Sequence, residues 1–178
     1  RPKALPASPS AAGDDAAPCP VAIVGMDARF GELGGLRAFQ EAVLSGASSK
    51  AGRLVPDLEV SPSAFRIPPK ELSEMLPQQI LMLQVAEAAL RDAGALDRDH
   101  ERTGVFIGMD LDVHTADFHL RWSLPEEARG MAGPPLSANR TMGALGGIIA
   151  SRVAREFRIG GPSFTIASGS DAKEARVL

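Results

Sequence analysis

The sequence is poor in cysteine, in long apolar runs and in excess charge of either sign. Its 178 residues include one cysteine, Cys19. One thiol cannot close an internal disulfide, which excludes a disulfide-stapled secreted scaffold and makes a cytoplasmic setting the default. No apolar run approaches the roughly 18 residues that a membrane helix needs, so no membrane span is expected. Lys plus Arg number 19 against 22 Asp plus Glu, a net charge of −3. That balance speaks against a strongly basic nucleic-acid binder. There is no G-x-G-x-x-G: Gly31, Gly34 and Gly35 do not reproduce the dinucleotide spacing. There is no H-E-x-x-H and no calcium-loop order. No cofactor and no resident metal are expected. No signal peptide is visible, and the first residue is Arg1 rather than Met, so a piece of a longer polypeptide is expected.

What is present suits one globular domain. Hydrophobic residues make up 44% and charged residues 23%, enough for a core and against wholesale disorder. Gly (18) and Pro (14) are abundant, which predicts many turns. Residues 1–20, RPKALPASPSAAGDDAAPCP, have no apolar periodicity. They read as a disordered linker in front of a domain spanning 21–178.

Within that domain, strands and helices alternate. Val21–Met26 is an apolar run ending in glycine and methionine, which predicts a strand buried on both faces. Leu36–Leu44 has helical spacing, with Gly46 as its stop. Residues 47–69 read as irregular. Pro77 fits a first helical position, and Ile80, Leu83 and Leu90 form one stripe. Met82, Ala86, Ala89 and Ala93 form a second, so Pro77–Ala93 is predicted to be a helix packed between neighbours. Gly104–Met109 and Ser163–Ile166 read as strands, and Asn139–Phe157 as one helix. The order signals a layered α/β fold.

Two clusters invite chemistry. Asp110, Asp112, His114, Asp117 and His119 offer oxygen and imidazole donors suited to a divalent ion. Phe118, Leu120 and Trp122 alternate at period two in the same stretch. The favoured reading is an extended partner-contact segment with one buried face rather than a metal site. Ser170-Asp171-Ala172-Lys173 spells S-x-x-K, the nucleophile and base of some acyl-enzyme hydrolases, but the supporting K-T-G is absent. The favoured reading is a helix N-terminus with Ser170 or Asp171 as cap and Lys173 in solvent.

The stretch FRIPPKELSEMLPQQILMLQVAEAALRDAG, Phe65–Gly94, closely resembles the β-ketoacyl synthase (ketosynthase) family. Phe65, Ile67, Pro69 and Glu71 match F-x-I-x-P-x-E. Met75, Pro77, Gln78 and Gln79 match M-x-P-Q-Q, and Leu81 to Gly94 match L-x-L-x-x-A-x-x-A-L-x-D-A-G. Val21–Met26 resembles the family's opening strand, Thr103–Gly108 its T-G-V-F-x-G strand, and Ile148, Ala150, Ser151 and Arg152 its G-R-I-S-like segment. Gly161–Ile166 resembles G-P-S-x-T-V, the strand that runs to the active site. The motifs are collinear, and they look most like ketosynthase or chain-length-factor-like domains of polyunsaturated fatty-acid, heterocyst-glycolipid and polyketide synthases.

The resemblance implies the N-terminal half of a thiolase-type layered α/β fold. It implies a dimer and, in the complete family enzyme, decarboxylative Claisen condensation with an acyl carrier protein as partner. A cysteine takes the acyl chain and two histidines assist decarboxylation. Both histidine positions of the family fall beyond Leu178, and His100, His114 and His119 do not correspond to them. Ser170 stands where the family has its nucleophilic cysteine. Two readings follow: part of a condensing domain, inactive by itself, or a non-catalytic chain-length-factor-like domain that dimerises with an active ketosynthase.

Overall fold

A computed structural model describes residues 20–46, 58–109, 120–133, 135, 137–143, 145 and 147–167. The linker, except Pro20, therefore lies outside the described residues.

The elements run β1 (Arg29–Phe30), β2 (Leu33–Gly34), α1 (Leu36–Leu44), α2 (Pro69–Glu74), α3 (Pro77–Asp92), β3 (Val105–Met109), a 3₁₀ helix (Glu126–Ala132), α4 (Ala138–Gly143), α5 (Ile148–Glu156) and β4 (Ser163–Ala167). The limits of α1, α3, β3 and β4 agree with the sequence pattern to within a residue or two. α3 begins with Pro77 at its first turn and passes through Ala93 into Gly94, whose φ of +63° closes it.

The core forms where α5 packs on one face of the β3–β4 sheet and α3 packs against α5. Leu83 is fully buried, with Ile80, Val105, Ile107, Ile149, Ala150, Val153 and Phe157 in the same cluster. The two strands are parallel and in register, from Val105 opposite Ser163 to Met109 opposite Ala167. Pairing begins upstream of them: Gly160 N donates to His100 O (3.0 Å) and Gly161 N to Thr103 O (2.9 Å). A Cβ on Gly161 would sit 2.4 Å from the Thr103 carbonyl oxygen, so only glycine allows this approach. α5 ends with Arg158 in the left-handed conformation (φ 52°), and Ile159 N reaches back to Ala154 O at 2.8 Å.

Three expectations need correction. Val21–Met26 is not a buried strand. It has no ladder partner among the described residues, and Val21, Ile23 and Val24 are 76–90% exposed. An apolar β-prone run becomes a strand only when another strand takes its N–H and C=O groups. Its far end is anchored: a Cβ on Gly25 would lie 2.4 Å from Ala89 O of α3, and Met26 N donates to the Asp92 carboxylate at 3.0 Å. Second, Asn139–Phe157 is not one helix. It divides into α4 and α5 around Gly143, Gly146 and Gly147, where each glycine costs about 1 kcal/mol of helix propensity. Third, the stretch 47–69 is not irregular to its end, because Pro69 begins α2 and Glu71 supports its first turn. Six residues carry too little periodicity to stand out in the sequence.

The loop of Gly31, Gly34 and Gly35 is a small hairpin leading into α1. Leu36 N donates to Asp27 Oδ1 (3.0 Å), and the Phe30 and Phe39 rings meet edge-on at 6.2 Å.

The second face of the β3–β4 sheet is also apolar. Phe106 and Phe164 form an edge-to-face pair 4.8 Å apart, and both are about half exposed, as is Ile166. Parallel sheets are normally covered on both faces. The chain is therefore expected to associate through this surface at micromolar concentration and to bind a hydrophobic dye. A strictly monomeric species by light scattering, with no dye binding, would contradict this.

Candidate functional site

The sheet ends where the two candidate stretches of sequence begin. Because β3 and β4 are parallel, their carboxyl ends, Met109 and Ala167, lie side by side. In α/β sheets that end is where ligands bind. Both chemistry-bearing stretches of the sequence leave from there. The position expected to carry acyl chemistry, Ser170, follows β4 by three residues; the Asp110–His119 cluster follows β3 directly. Both lie outside the described residues, as does Lys173. Among the described residues, no group of three His, Cys, Asp or Glu could hold a metal.

The part of the predicted contact segment that is described differs from expectation. Residues 120–123 are helical, so Leu120 and Trp122 do not share one face as they would on an extended chain. Both are more than half exposed, while Arg121 is buried and donates from Nη2 to Gly133 O (2.8 Å).

Behind the sheet, α2 acts as a polar strut. Glu71 pairs with Arg152 of α5 at 2.6 Å, with the two side chains 24% and 12% exposed. One turn on, Glu74 Oε2 accepts from Ser137 Oγ (2.9 Å) and Asn139 Nδ2 (2.8 Å) at the start of α4. Ser137 Oγ also accepts from Arg140 N (3.2 Å), capping that helix. Thus one short helix fixes both α4 and α5, on either side of the glycine break. The hydrogen bonds from Asn139 and then Ser137 hold the Glu74 carboxyl below the usual carboxylate range. A depressed carboxyl stabilises the fold above its unfolded pKa and loses that effect as pH falls through its folded pKa. Melting temperature should therefore fall more steeply below about pH 4.5 in the parent than in Glu74→Gln. Parallel pH profiles would refute the role of this carboxylate.

A separate cleft of about 400 Å³ lies between the 63–66 segment, α3, the 96–98 turn and the end of α5. Phe65 and Phe157 contribute to its floor, and Arg66, Arg98 and Arg158 to its rim. None of its lining residues belongs to β3 or β4.

The parallel β3–β4 pair with helices packed on it is consistent with a layer of a thiolase-type α/β fold. The family described as "Beta-ketoacyl synthase, N-terminal domain" matches residues 19–170. The chain belongs to the β-ketoacyl synthase family. It is 28% identical over 188 residues to a polyunsaturated fatty acid synthase polypeptide of Thraustochytrium sp., covering 85% of this chain and 9% of that one. Among solved structures, "The ishigamide ketosynthase/chain length factor" superposes with a TM-score of 0.61 at 21% identity, covering 82% of this chain and 43% of that one. Ketosynthase twelve of the bacillaene polyketide synthase from Bacillus amyloliquefaciens gives 0.59 at 23% identity, covering 83% and 27%. At these identities the structures establish the fold. The chain spans less than a tenth of the length of the polyunsaturated fatty-acid synthase relative.

Proposed function

We propose that this chain is the N-terminal part of a condensing domain in a multidomain fatty-acid or polyketide synthase, working in the cytoplasm with an acyl carrier protein and as a dimer. The observation that supports the reading is the in-register β3–β4 pair inside the matched stretch 19–170, whose second strand ends at Ala167, three positions before Ser170 in the sequence. In the complete family reaction, a thiolate attacks the carrier-bound acyl thioester and the carrier thiol departs. Malonyl carrier protein then loses carbon dioxide. The resulting carbanion attacks the enzyme thioester, forming the new carbon–carbon bond and releasing the cysteine.

A second reading is supported by Ser170, which by the motif resemblance takes the place of the family's cysteine. Here the domain is non-catalytic and chain-length-factor-like, contributing a surface to an active ketosynthase partner. Titration of isotope-labelled, acyl-loaded carrier protein with the chain tests the carrier contact common to the condensing reading. Localised shifts of the carrier's resonances are expected. Unchanged spectra at a several-fold excess of the chain would remove the carrier protein from the proposal.

A further inference from the structure

We draw no further inference here: the strongest candidate, the apolar second face of the β3–β4 sheet with its half-exposed Phe106, Phe164 and Ile166, carries none because nothing in the structure shows what covers it.

Discussion

Leu83→Asp should unfold the chain. Leu83 has no exposed surface and belongs to the buried cluster where α3 packs against α5. Aspartate there would place a carboxylate in a site with no cation built to meet it. The choices are an unpaired buried charge or a protonated carboxyl whose hydrogen-bonding groups lack partners, and both are costly. The methylene and methyl contacts of leucine are lost as well. Together these exceed about 4 kcal/mol, in a domain whose whole stability is of the order of 5–15 kcal/mol. Leu83→Met, which conserves volume and polarity, should cost less than about 1.5 kcal/mol. Circular dichroism melts of the three proteins provide the measurement. A melting temperature for Leu83→Asp equal to the parent's would mean that α3 is not the keystone of the core.

The second large effect is an absence. No acyl-enzyme is expected at Ser170 when the chain meets an acyl carrier protein or acyl-CoA thioester. A free cysteine has a pKa of about 8.5, so a helix N-terminus and modest neighbours produce thiolate near neutral pH. A serine hydroxyl is a far weaker acid and needs a dedicated general base. The nearby candidate in sequence is Lys173, flanked by Ala172 and Glu174 with Asp171 two residues before it. Lysine accepts a proton only when desolvation makes it neutral, and neighbouring carboxylates favour its charged form. Intact-protein mass spectrometry after incubation with an acyl thioester reads the result directly. An adduct mapped to Ser170 and abolished by Ser170→Ala would show that serine catalysis operates and that the chain is not silent.

How much of this was legible in the sequence depends on where each element finds its stabilisation. α3 carries two apolar stripes and terminal Pro and Gly signals, so its limits could be read locally. β3 and β4 are continuous apolar or β-prone runs bounded by glycine, and they too were visible. The failures have a common cause: each depended on something outside the window. Val21–Met26 has the composition of a strand, but strandedness is a property of a pair, and no described strand lies beside it. The Asn139–Phe157 periodicity concealed a break because the apolar positions stay in helical phase across Gly143–Gly147 while the backbone there does not favour helix. α2 was too short to show a period, yet it contributes both Glu71 and Glu74. Those two residues bring together Arg152, Ser137 and Asn139, which lie more than sixty positions away in sequence. No local pattern announces such contacts. The expected nucleophile position, Ser170, rests on the collinear motifs alone and lies outside the described residues.

The parallel pairing of β3 with β4 also bears on how the chain is made. Val105 and Ser163 sit opposite each other but are almost sixty residues apart in sequence. A ribosome adding roughly 5–20 residues per second needs several seconds to supply the second strand after the first. Throughout that interval the β4-facing edge of Val105–Met109 and the Phe106 ring lack the neighbours that Ser163–Ala167 supplies. Long-range parallel pairing is intrinsically slow to form and open to misassociation. The yield of folded protein should therefore respond to translation speed across the stretch between the two strands, with synonymous codons there acting as a control on solubility while the amino-acid sequence stays unchanged.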